Sequence, residues 1–95
     1  MTLAKRATRA ITVNGERFRW CVAPNDEPGM AIVVESAEAQ GQRMATWVDH
    51  GNTISPWLVR RAILNALQSG WHPQKRGSEL IFRFHGLIQR EDEDA

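Results

Sequence analysis

Residues 54–73 constrain this chain more than any other segment, because they hold the start, the period and the stop of one amphipathic helix. Ser55 offers a side-chain oxygen to the free amides of a first turn, and Pro56 suits the first helical position, where no amide is needed. Val59, Ala62, Ile63, Ala66 and Leu67 recur at spacings of three and four and form one apolar stripe, while Arg60, Arg61, Asn65 and Gln68 fall toward water. Gly70 suits the left-handed position after the last turn, and Pro73 forbids resumption. A helix of about 14 residues is marginal alone in water, so the stripe must dock on another element.

The upstream half supplies that element. Residues 11–13 and 16–22 flank Asn14-Gly15, the pair that a type I′ turn needs at its two positive-φ positions. A two-residue turn pairs Val13 with Glu16 and Ile11 with Phe18. This register puts Ile11, Val13, Phe18, Trp20 and Val22 on one face and Thr12, Arg17, Arg19 and Cys21 on the other. Residues 24–29 break the pattern as a loop. Residues 30–35 and 43–48 then read as a second hairpin, joined through residues 37–41. With Glu35 opposite Arg43, the pairs Val34 and Met44, Ile32 and Thr46, and Met30 and Val48 share the inner face. Residues 79–85 alternate as a last strand with Leu80, Phe82 and Phe84 inward. The expected class is α+β: a single antiparallel sheet of about five strands, in the order β-β-β-β-α-β, with one helix packed on one face.

A chain of 95 residues is one domain and buries only about 60–65% of the surface its unfolded form exposes, which leaves room for one modest core. The expected division is a flexible basic arm over residues 1–9, a single α+β domain over 10–88 and an acidic tail over 89–95. Lys5, Arg6 and Arg9 mark the arm, and Glu91, Asp92, Glu93 and Asp94 mark the tail. The formal net charge is only +1, which argues against a dedicated nucleic-acid or membrane-surface protein. Cys21 is the single cysteine and cannot form an internal disulfide. With no signal-peptide pattern and no apolar run of roughly 18 residues, the expected location is the cytoplasm, without a membrane contact.

The run Ile54-Ser55-Pro56, Val59, Ile63, Ala66-Leu67, Gly70-Trp71 and Pro73, followed by a basic-Gly turn and a strand, resembles a family of small uncharacterised bacterial proteins. Their C-terminal half reads roughly I-[ST]-P-x-x-V-x-x-x-I-x-x-A-L-x-x-G-W-x-P. Gly15-Glu16-Arg17-Phe18-Arg19-Trp20 also looks like that family's first hairpin, so the resemblance covers residues 10–85. Ser55 stands where the pattern more often has Thr, an equivalent capping residue. The resemblance implies a bacterial, cytoplasmic, single-domain protein and carries no activity with it.

Catalytic apparatus is not expected. His50, His72, His85, Asp49 and Cys21 are the metal-capable residues, and no two sit at a ligand-pair spacing, so neither a metal nor a cofactor is expected. Cys21 lies mid-strand, away from any helix N-terminus that would lower its pKa, and no glycine cluster leads into a helix as a phosphate loop does. Trp71 should pack back on the helix end, and Trp57 should cover the sheet edge or stack on Arg61.

The outer sheet face is more informative. A sheet with one wet face should alternate cleanly, yet Ala31, Val33, Ala45, Trp47 and Ile81 interrupt the polar positions, with Ala31 opposite Trp47. An exposed tryptophan bordered by Arg17, Arg19 and Arg83 needs cover, either from the chain's own tails or loops, from a second copy or another protein, or from a nucleic acid. Single-stranded nucleic acid stacked on Trp47 with phosphates on the three arginines is the alternative; one aromatic and a near-neutral charge do not favour it. The expected function is a non-enzymatic protein-interaction module or homodimer, with Arg17, Arg19, Val33, Trp47 and Arg83 as its working surface.

Overall fold

The Asn14-Gly15 turn forms as its residue types dictate, with φ of 53° and 80° at its two positions. It joins β1 (Arg9–Val13) to β2 (Glu16–Pro24), and the chain continues through β3 (Gly29–Ser36), β4 (Met44–Asp49), α1 (Pro56–Gln68) and β5 (Leu80–Phe84). The computed structural model describes residues 8–24, 29–49 and 53–84. The arm expected over residues 1–9 is corrected at its end, because Arg9 pairs with Trp20 as the first residue of β1; residues 1–7, the interior of the loop expected over 24–29, the turn at His50 and the acidic tail lie outside the described residues.

The strands lie in chain order in one five-stranded sheet. The registers follow the hydrophobic alternation: Val13 faces Glu16 and Ile11 faces Phe18, while Val34, Ile32 and Met30 face Met44, Thr46 and Val48. The three pairings from β1 to β4 are antiparallel, and β4 pairs with β5 in parallel, Met44 beside Leu80. The fold is the expected α+β one, a single five-stranded sheet with one helix, and the sheet is antiparallel except at this last pair, which the helix explains. Thirteen helical residues rise about 20 Å, close to the length of β4, so the crossover returns the chain to the level where β4 began.

The helix begins and ends as its residues require. The Ser55 hydroxyl accepts from the Leu58 amide at 3.3 Å, and Pro56 opens the first turn. After Ser69, Gly70 takes φ 106° and the Trp71 amide donates back to the Ala66 carbonyl at 2.9 Å, a Schellman closure. Val59, Ala62, Ile63 and Ala66 are fully buried against Val13, Phe18, Ile32, Val34 and Met44. Leu58 is buried too, because it lies one turn before Ala62 on the same stripe. Asn65, expected toward water, and Leu67 are half-buried. Thr46 points inward, and its hydroxyl reaches Met44 Sδ at 3.3 Å. Val22 belongs to the inner face by register yet is exposed; among the described residues, the β1 pairing begins at Arg9 opposite Trp20, two positions short of it.

Trp71 closes the core between the helix end and the sheet. It is buried, its ring centroid lies 5.6 Å from that of Phe18, and its indole Nε1 donates to the Gln42 carbonyl at 2.8 Å. Gln42 stitches the β3–β4 connection to the α1–β5 connection. Its amide donates to the Lys75 carbonyl at 2.6 Å, its Oε1 accepts from the His72 amide at 3.0 Å and its Nε2 donates to the Ser78 carbonyl at 2.9 Å.

Candidate interaction surface

Side chains alternate along each strand, so the face away from α1 can be laid out in rows. One row is charged: Arg19 on β2 and Glu35 on β3 are cross-strand partners with Arg19 Nη2 3.5 Å from Glu35 Oε2, and Arg43 and Glu79, at the entries to β4 and β5, form a second pair at 3.6 Å. The next row, Cys21, Val33, Ala45 and Ile81, is apolar across four strands. The row after it is Ala23, Ala31, Trp47 and Arg83. An apolar band two rows deep thus crosses a face that would ordinarily be polar.

Within the band, Ala31 and Ala45 are only 5% and 4% exposed, shaded by larger neighbours, whereas Ile81 is 60% exposed. Val33 is half-buried. Trp47, expected to be exposed, is half-buried as well, and the Arg83 guanidinium lies 4.8 Å from its ring centroid. Of the three arginines expected around Trp47, the structure brings only Arg83 to it. Arg19 lies four residues and Arg17 six residues along β2 from the Trp47 row, about 13 and 20 Å away along the strands. The error was one of distance: facing the same side of a sheet does not make residues neighbours.

Arg19 is held by Glu35, itself buried, and its Nε is buried without a hydrogen bond. Burial pushes the Cys21 thiol above its ordinary pKa; Arg43 opposes this and Glu35 reinforces it. Such a thiol is a poor nucleophile at neutral pH. Glu35, Arg43 and Glu79, with Arg76, line a cleft of about 330 Å³ at the charged end of the face. Sequence reasoning placed Glu35 opposite Arg43 but missed the row, because Glu79 joins it only through the parallel register of β5.

Elsewhere, Arg61 stacks 5.5 Å from the ring centroid of Trp57, which is 46% exposed, so of the two roles expected for Trp57 the stacking one is found. His72 is exposed in the loop after the helix, while His50 and His85 lie outside the described residues. Among the described residues, no three His, Cys, Asp or Glu side chains gather to hold a metal ion, and no helix is long and apolar enough to cross a membrane. No family model matches the chain, and comparison with curated proteins and with solved structures likewise finds no match.

Proposed function

We propose that this chain is a non-enzymatic protein-interaction module that works through the outer face of its sheet. The observation that carries the reading is the apolar band from Cys21 and Ala23 across to Ile81, with Trp47 under Arg83 at one end. Tryptophan and arginine are the types that dominate binding energy at protein interfaces, and small residues beside them let a partner surface approach closely. A cytoplasmic setting fits the lone thiol of Cys21.

Single-stranded nucleic acid is the less supported occupant. A base stacking on Trp47 would have to displace Arg83, and Arg17 and Arg19 stand too far along β2 to serve the same nucleotide. The test compares wild type, Trp47→Ala and the control Arg61→Ala in two assays: sedimentation across concentrations, and affinity capture of proteins from a native extract. Trp47→Ala should weaken association by about 2 kcal/mol or more while Arg61→Ala leaves it unchanged. Identical behaviour of Trp47→Ala and wild type in both assays refutes the surface. Binding to single strands that collapses with added salt would favour nucleic acid instead.

A further inference from the structure

The charged row on the outer face alternates in sign, running Arg19, Glu35, Arg43, Glu79 across four strands. Within the chain, alternation neutralises neighbours; it also makes the row its own complement. Turned over about an axis parallel to the strands and midway between β3 and β4, the row reads in reverse. A second copy laid face to face then presents an acid wherever this copy has a base. Arg19 meets the partner's Glu79, Glu35 meets the partner's Arg43, and each contact occurs twice, as an isologous interface requires.

The same operation acts on the apolar rows. Ala31 and Trp47 are cross-strand neighbours on either side of the axis, so each Trp47 is set over the partner's Ala31. Val33 falls opposite the partner's Ala45, and Arg83, over Trp47, falls opposite the partner's Ala23. At these crossings a larger side chain meets a smaller one. Packed sheets lie about 10 Å apart with strands within about 30° of each other, so the register holds best under the axis, where the buried, nearly flat Ala31 and Ala45 lie.

We propose that the partner of the outer face is a second copy of this chain, related by this two-fold axis and packed sheet on sheet. The proposal rests on the reading of that face as a protein-interaction surface and adds the identity and orientation of the partner.

Two double variants test the operator. Arg19→Glu with Arg43→Glu makes the row wholly acidic, and Glu35→Arg with Glu79→Arg makes it wholly basic. In sedimentation equilibrium, wild type should approach twice the monomer mass as concentration rises. Each variant alone should dimerise at least ~100-fold more weakly, since like charges then face each other at every crossing of the row. An equimolar mixture of the two should recover wild-type dimerisation. Should circular dichroism show that a variant does not fold, Ile81→Cys at an exposed site carries the test. Cys21 and residue 81 of one chain are three strands apart, about 14 Å, whereas the axis sets Cys21 opposite residue 81 of the other copy. At a pH above the ordinary thiol range, where Cys21 ionises, a thiol crosslinker spanning less than about 10 Å should therefore link Cys21 to the new thiol only between chains. Wild type that stays monomeric at every concentration overturns the second copy. A mixture no tighter than its components, or a crosslinked dimer lacking the Cys21 linkage, overturns the axis. The surface itself is judged separately by the Trp47→Ala comparison, which can succeed when either of these fails.

Discussion

Gly41 sits where two connections touch backbone to backbone, and Gly41→Ala should be among the most damaging small substitutions in this protein. A Cβ at this position would overlap the Pro73 carbonyl oxygen and stand only 2.6 Å from the Pro73 carbonyl carbon and 2.9 Å from that of Gln74. Ordinary contact begins near about 3.4 Å and the obstacle is backbone, so the two loops must part rather than a side chain swing aside. Parting them strains the Gln42 bonds to Lys75 and His72 and the bond from the Trp71 indole, which is buried and has no water to turn to. Overpacking costs about 1–3 kcal/mol, and a buried donor left unpaired about 1–3 more. The lower entropy of the unfolded chain with alanine returns about 0.4–1. The net loss should be about 3 kcal/mol, a fall in Tm of roughly 12–24 °C for a domain of this size. Urea unfolding followed by tryptophan fluorescence measures it. The control is Gly77→Ala, whose Cβ would come within 3.2 Å of Gln42 Nε2, a side-chain contact that a shift of a few tenths of an ångström relieves without breaking the bond to Ser78, so it should cost within about 1 kcal/mol. A Gly41→Ala protein within about 0.5 kcal/mol of wild type would show that the loops do not need their close approach.

The helix stripe makes a second test: Ile63→Ala should cost about 2–4 kcal/mol, because Ile63 is fully buried mid-stripe. Arg61→Ala should cost within about 0.5 kcal/mol, since its cation–π contact is to an exposed ring; equal losses in a denaturant titration would mean the helix is rotated. Cys21, with its pKa raised by burial, should react with iodoacetamide more slowly in the folded protein than in urea at neutral pH, and its rate should rise only above the ordinary thiol range. The raised value also means that this thiol's contribution to stability is present at neutral pH and is lost as pH climbs through the folded pKa.

What the amino-acid pattern revealed, and what it hid, divides along contact range. Asn14-Gly15 alone sets the first hairpin register, and Ser55, Pro56 and Gly70 bound the helix, because each acts through its own backbone. Val34 opposite Met44 followed from alternation. The direction of β5 did not, since alternation is the same in parallel and antiparallel strands and only the length of the crossover decides. Gln42 looked like any loop residue, yet its four hydrogen bonds reach across 29 or more positions of chain. On the outer face the composition of the band was legible, but its spacing was not: Arg17 and Trp47 share a side without sharing a neighbourhood.

The parallel return of β5 also orders the folding of the chain. β1 to β4 form a meander in which each strand pairs with its sequence neighbour, so these contacts close short loops. β5 can join only after the residues between Asp49 and Leu80 have been gathered into a single loop, an entropic cost of about 2.4 kcal/mol beyond that of a two-residue turn. Until α1 docks and β5 pairs, the far edge of β4 presents unpaired amides and carbonyls beside Trp47 and Val48, a template for any other strand. The interval between meander and finished sheet is therefore when this chain is most exposed to aggregation, and the Gln42 and Trp71 contacts that pin the crossover in place are what bring that interval to an end.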